Sequence, residues 1–195
     1  MKKFELTTES ITFLGRTLFR IKALISFGNV KAGELGGYIE KEGNLSHEGN
    51  AWVCGDARVC GNAEVCDNAR VYGDARVCGN AEVYGDAEVC GNAEVYGDAW
   101  VCDNARVYGN ARVCGNAEVY GDADIATISG FGSEYRTTTF FRTKNDEIAV
   151  KCGCFYGTLA EFREKVKETH GDNRCAKEYL MIADLMEMHF RGEEE

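Results

Sequence analysis

The chain has 195 residues, 45% of them apolar, and a formal net charge of −10, enough for one large domain or two small ones and unlike a disordered acidic tail. That charge offers no grip on nucleic acid, which needs clustered Lys and Arg facing phosphates, and no run approaches the roughly 20 apolar residues that span a bilayer. Zero prolines beside 23 glycines place the glycines at the fixed corners of something regular rather than in irregular loops.

Residues 1–38 come first. Met1-Lys2-Lys3-Phe4-Glu5-Leu6 lacks the continuous apolar stretch of an export signal, so the chain reads as cytoplasmic. Phe4-Glu5-Leu6 and Leu18 to Ile25 read as short β-strands that cap the repeat following them, since a bare solenoid end would leave strand edges unpaired. Gly43-Asn44-Leu45-Ser46 and Gly49-Asn50-Ala51-Trp52 then read as one repeat widened by His47-Glu48, with Ile39 one period before Leu45.

From Ala51 the period is six: Ala-Trp-Val-Cys-Gly-Asp, Ala-Arg-Val-Cys-Gly-Asn, Ala-Glu-Val-Cys-Asp-Asn, and onward without insertion to Asp122, twelve units, with a thirteenth opening at Ala123-Asp124-Ile125. Ala-x-Val-x alternates inward apolar residues with outward variable ones, as a short one-sided strand does. The Gly-Asp, Gly-Asn or Asp-Asn pair tolerates positive φ and turns the chain. Six residues make a side and a corner, and three sides close a coil of eighteen residues. The expected fold is therefore mainly β, a parallel β-helix over residues 39–128 with an N-terminal β cap over 1–38 and a small C-terminal α+β domain over 129–195.

The period does not set the hand of the coil. Val-x-Gly-Asn-Ala-x resembles the hexapeptide repeat of left-handed β-helix proteins, in which an aliphatic residue fills the interior and a small residue follows four positions later, as Val53 and Ala57 or Val107 and Ala111 do. The resemblance covers residues 51–128 and implies a left-handed coil. The chain departs from that pattern just after the aliphatic residue, where Cys or Tyr stands.

Stacking every third unit sorts the outward side chains into three faces. The first carries Trp52, Arg70, Glu88, Arg106 and Asp124, an alternating charge ladder whose ordinary use is solubility. The second carries Arg58, Arg76, Glu94 and Arg112 beside Cys60, Cys78, Tyr96 and Cys114. The third carries Glu64, Glu82, Trp100 and Glu118 beside Cys66, Tyr84, Cys102 and Tyr120. An exposed Trp flanked by Tyr is a usual hot-spot anchor, so Trp100, Tyr84, Tyr120, Glu64, Glu82 and Glu118 form the candidate surface for a protein partner or for a second copy of the chain. Asn62, Asn80 and Asn116, and Asn68 and Asn104, form corner columns that support the turns.

Seven of the ten cysteines fall in one repeat slot shared with Tyr, which reads as surface packing rather than a disulfide framework. Stacked neighbours offer poor disulfide geometry and no His lies among them, so neither metal nor cofactor is expected there.

After Ile128 the period stops. Thr137 to Thr143 and Ile148 to Cys152 read as a β-hairpin around Lys144-Asn145-Asp146-Glu147. Thr158 and Glu161 form a capping box opening a helix to His170, ended by Gly171. Asp172 is expected to cap a second helix running to about Phe190, with Tyr179, Ile182, Ala183, Met186 and Phe190 inward. Cys152, Cys154, His170 and Cys175 have the residue types of a metal site, but Cys-Gly-Cys is too close for the usual zinc spacing, and buried thiols are the simpler reading. Phe140-Phe141-Arg142-Thr143, Cys152-Gly153-Cys154-Phe155, Gly157-Thr158-Leu159 and Thr169-His170-Gly171 resemble a C-terminal module of uncharacterised bacterial and phage proteins, which implies a mobile-element setting in a bacterial host and no activity.

Two functions follow. The left-handed β-helix resemblance implies an acyltransferase using acetyl-coenzyme A, often trimeric, with an interfacial His as general base near a projecting loop. The repeats here run without such a loop, and of His47, His170 and His189 only His47 lies near a coil. A non-enzymatic structural or interaction protein, presenting its faces to a partner such as a host defence component, accounts for more of the sequence.

Overall fold

The computed structural model describes residues 1–191. Strand β1 (Phe4–Phe13) and strand β2 (Arg16–Ala23) form an antiparallel hairpin. Its turn is Leu14-Gly15, with φ of 50° and 74°, the backbone that matches strand twist in a two-residue hairpin loop. β1 runs well beyond the expected Phe4-Glu5-Leu6, and β2 starts and ends two residues before the expected Leu18–Ile25. Only one face is packed, through Phe4, Leu18, Ile21 and Ala23, so the Thr and Ser positions of β1 extend the strand with their side chains largely in water. Strand β3 (Leu35–Ile39) pairs antiparallel with β2 and parallel with Arg58–Val59. The N-terminal strands thus prolong one sheet of the solenoid, and residues 38 and 39 lie in the same strand.

From Trp52–Val53 to Glu118–Val119, twelve two-residue rungs recur every six residues. Trp52 pairs with Arg70, Glu82 with Trp100 and Glu94 with Arg112, all parallel, so neighbouring coils are 18 residues apart in register. The rungs form three parallel sheets. Every repeat Val from Val53 to Val119 and every repeat Ala from Ala51 to Ala117 is at most 1% exposed. Each buried Val side chain supplies roughly 1.5–3 kcal/mol, and Ala leaves room for the chain to bend toward the corner. Upstream, Tyr38 pairs with Arg58 and Leu45 bridges to Val65, two residues beyond the regular spacing. The excess falls between Leu45 and Trp52, where His47-Glu48 widens the repeat.

At both solenoid ends other parts of the chain meet backbone groups that the stack leaves open. Within the stack, rung N–H groups donate to the next coil, as Trp52 does to Ala69 O at 3.0 Å. The first coil therefore presents free carbonyls. Lys3 Nζ donates to Ala51 O at 2.9 Å and to Glu48 O at 3.2 Å, Tyr38 N donates to Ala57 O at 2.9 Å, and Asn44 Nδ2 donates to Ala63 O at 2.8 Å. The last coil presents free N–H groups, and oxygens meet them: Asp122 Oδ1 accepts from Arg106 N at 3.2 Å, Thr139 Oγ1 from Arg112 N at 3.0 Å, and Asp124 Oδ2 from Tyr120 N at 3.0 Å. Buried backbone groups left without partners would each cost about 1–3 kcal/mol.

The thirteenth unit does not continue the coil. Asp122–Asp124 is a 3-10 turn, and Ile125–Ile128 pairs antiparallel with Thr138–Arg142. Strands β4 (Ile125–Ile128), β5 (Thr138–Arg142), β6 (Ile148–Cys152) and β7 (Phe155–Thr158), counted without the rungs, form one antiparallel sheet. The expected hairpin is its centre. Adjacent residues of β5 face opposite ways: Phe141, with Ala149, joins the solenoid core, while Phe140, with Val150, packs against Phe162, Tyr179 and Phe190 of two helices.

Helix α1 (Leu159–His170) opens on the Thr158–Glu161 capping box and closes at Gly171, φ 57°. Helix α2 (Arg174–Arg191) buries Tyr179, Ile182, Ala183, Met186 and Phe190. Its first turn is capped by Asn173, whose Oδ1 accepts from Ala176 N at 3.0 Å, and not by Asp172. The cap must stand three residues before the N–H it serves, and Asp172 lies one residue too early.

Candidate interaction surface

The three outward columns exist as stacked neighbours, but their surroundings differ. On the first face Trp52 is buried to 3% exposure, edge-on to Phe27 at 5.4 Å, so the chain between β2 and β3 covers it. Glu88 accepts from the Tyr72 hydroxyl at 3.1 Å, and Arg70 lies over the Tyr72 ring at 5.8 Å. Asp124 has left this column: it caps the last coil and pairs with Arg142 at 3.1 Å. The paired charge ladder lies on the second face instead, where Glu94 binds Arg76 at 2.8 Å and Arg112 at 3.1 Å. The hairpin covers that face, with Phe13 under Arg58 at 5.3 Å and Arg76 at 5.5 Å.

The third face brings together all six residues singled out for it. Glu64, Glu82, Trp100 and Glu118 stand in one in-register column. Trp100 is 38% exposed and Tyr120 44%, against 3% for Trp52. Tyr84 meets the Trp100 indole edge-on, centroids 6.5 Å apart at 74°, which fixes the indole at the centre of the column. Tyr120 donates its hydroxyl to Glu118 at 2.6 Å, and that carboxylate pushes the phenol up to about 12. Burial, with Asp67, Glu64 and Glu82 close by, pushes the Cys66 thiol up to about 11. Glu64 and Glu82 are direct cross-strand neighbours of like charge, an unfavourable pairing that a cation would relieve, and no Lys or Arg stands in this column.

The corner columns form amide ladders in which Asn62 donates to Asn80 at 3.2 Å and Asn80 to Asp98 at 2.9 Å; Asn50 and Asn68 do the same at 2.9 Å. Asn116 meets the Tyr156 hydroxyl at 3.4 Å.

The histidines have packing partners. His47 stacks on Phe4 at 4.3 Å, its Nδ1 accepts from Lys3 N at 3.2 Å, and its Nε2 faces Glu42 at 3.8 Å, so it ties the hairpin to the widened repeat. His170 lies against Tyr179 and His189 against Phe190. Cys152 receives the Thr138 hydroxyl at 3.2 Å, Cys154 is exposed at the β6–β7 turn, and Cys175 sits in the first turn of α2. Among the described residues no three His, Cys, Asp or Glu side chains are placed to hold a metal ion, and no helix is long and apolar enough to cross a membrane.

Two features escaped the sequence reading. Lys3 is a fully buried cation that closes the solenoid's first end, and nothing in its local sequence announces that role. Cys60 and Cys78 have sulfurs 2.8 Å apart, closer than stacked strand neighbours were expected to bring them.

A family model described as YdcK beta solenoid repeat matches residues 63–79 and 99–115. Both segments open on a repeat alanine, Ala63 and Ala99, at the start of the third face. A comparison with curated proteins finds no match. The chain is a β-solenoid repeat protein with a small C-terminal region of strands and helices.

Proposed function

We propose that this protein is a non-enzymatic scaffold whose third face binds another protein carrying a basic patch. The Trp100–Tyr84 pair carries the reading: a half-exposed, orientationally fixed indole framed by Glu64, Glu82 and Glu118 with no cation beside them. Aromatic anchors of this kind dominate binding energy, and the surrounding carboxylates steer a basic partner to them. The resemblance of the C-terminal module supports a phage or prophage source and a bacterial host component as the partner, and the N-terminal sequence supports a cytoplasmic setting. A second copy of the same acidic face is a poor occupant, because like charges would meet.

Light scattering coupled to size-exclusion chromatography, on the wild type and on Trp100→Glu, separates the two occupants. The expected result is a monomer near 21.5 kDa in both. A wild-type dimer or trimer that dissociates in Trp100→Glu would overturn the partner reading and assign the face to self-assembly.

A further inference from the structure

The outward slot after each repeat Val follows a rule once it is read down the stack. In the first-face column it holds Cys54, Tyr72, Cys90 and Tyr108; in the third-face column, Cys66, Tyr84, Cys102 and Tyr120. Cys alternates with Tyr, so no two thiols of these columns are neighbours. The second-face column reads Cys60, Cys78, Tyr96 and Cys114, and only there do two cysteines fall on adjacent coils. Their rungs are in register, Val59 opposite Val77, which sets the two Cα atoms roughly one strand spacing apart, about 4.8 Å and inside the range a disulfide spans. The sulfurs approach to 2.8 Å as free thiols.

The surroundings are those of a reactive pair. Cys60, which is buried, and the partly exposed Cys78 border a recess of about 340 Å³ with Leu14, Arg16, Asn62 and Asn80. Leu14 and Arg16 belong to the turn and first residue of β2, so the hairpin forms one wall. Arg16 is held over the recess by Glu40, whose carboxylate it binds at 2.8 Å and which also accepts from Gly61 N at 2.7 Å. We propose that Cys60 and Cys78 are a redox-responsive dithiol that a hydroperoxide oxidises, in a single stoichiometric event, to an inter-coil disulfide. The Cys60 thiol is held below the usual range by its contact with Cys78 and by Arg16, against the opposing effects of burial and Glu40, whereas Cys78 is pushed up. The attack is assigned to Cys60, whose neighbour Gly61 is tied through Glu40 to the Arg16 guanidinium, and resolution to Cys78.

The chemistry balances without a metal. The Cys60 thiolate attacks the terminal peroxide oxygen, the O–O bond breaks, and the leaving oxygen takes a proton to depart as an alcohol, or as water from hydrogen peroxide. Cys60 becomes a sulfenic acid. The Cys78 sulfur then attacks the Cys60 sulfur, the S–O bond breaks, and hydroxide leaves as water with the Cys78 proton. Two thiols lose two electrons and the peroxide gains them; a thiol reductant reverses the cross-link by exchange.

The test uses the full chain and hydrogen peroxide as the probe. Denatured thiol titration should fall from ten to eight per chain, and tryptic mapping should find fragments 59–70 and 77–106 joined, then separated by dithiothreitol. Cys78→Tyr puts in this slot the other residue type that the repeat slots use, and circular dichroism checks that the fold is kept. In that variant the joined fragments should vanish, and Cys60 should stop at a sulfenic acid that dimedone traps. Cys54→Ser should leave the cross-link intact. A wild type that keeps ten thiols, that joins other fragments first, or whose 59–70 to 77–106 link persists in Cys78→Tyr would overturn the proposal.

Discussion

Gly79 and Gly109 occupy equivalent corners, with φ of +78° and +67°, yet a side chain would meet different neighbours at each. A Cβ on Gly79 would come within 3.0 Å of Gly97 N and O, whereas one on Gly109 meets nothing within 4 Å. Both substitutions to Ala incur the roughly 1–2 kcal/mol of left-handed backbone, but only Gly79→Ala also forces two coils apart. Thermal melts should show Gly109→Ala destabilised by about 1–2 kcal/mol and Gly79→Ala by about 3 kcal/mol; equal losses would mean the corners are not in contact. At this scale the sequence was legible wherever a residue served the period, as Val89 and Ala93 do. It was silent where one residue served a distant partner. Trp52 shares its repeat position with Trp100, and only the chain around Phe27, far from it in sequence, decides that one is buried and the other is not.

Among the elements, the two helices and the β5–β6 hairpin were readable because their signals are local: a capping box, a C-terminal glycine, a two-residue alternation. The length of β1 was not, since a one-sided hairpin over a solenoid face tolerates a polar run that reads as a loop. The end caps were unreadable for the same reason, each being a side chain meeting backbone from another part of the chain. Lys3 is the sharpest case, and Lys3→Met should cost about 1.5–3 kcal/mol by leaving the Ala51 and Glu48 carbonyls without its charged donor. Hydrogen exchange should then quicken in the first coil more than around Val113; uniform protection would show that the cap is dispensable. At the other end, Thr158→Ala should lower stability by about 1 kcal/mol, with the loss of helical signal confined to α1.

Across the whole molecule, the Cys and Tyr slots set the response to alkali. Burial pushes up the thiols of Cys54, Cys66, Cys102 and Cys114, and burial with neighbouring groups raises the phenols of Tyr84 and Tyr96, while Tyr179 is pushed up to about 12. A folded state that holds these protons more tightly than the unfolded chain is fully favoured below the ordinary thiol value and loses that advantage as pH rises through the folded values. Lys3, pushed down to about 8 by burial, works the other way between pH 8 and its ordinary value, and Cys60, held low, does so below the ordinary thiol value, two groups against many. The melting temperature should hold to about pH 9 and fall by about 5 °C or more by pH 11, with a shallower fall in Cys66→Ser/Cys102→Ser. An unchanged melting temperature would mean that the slots are open to water.

The hand of the coil lay beyond periodicity, because six residues per side and three sides per turn describe either winding; only the motif resemblance bears on it. The eighteen-residue register has a further consequence for how such a chain can change. Adding or removing one six-residue unit keeps every corner and every inward Val, yet rotates all downstream side chains by a third of a turn. Trp100 would then stand over a different column, and the last coil would offer different N–H groups to Asp122, Asp124 and Thr139. Adding three units restores the phase. The length of this rod is therefore quantised in whole coils for any lineage that keeps its surfaces, with steps of about 4.8 Å, while shorter insertions turn the rod into a dial that selects which face meets the outside.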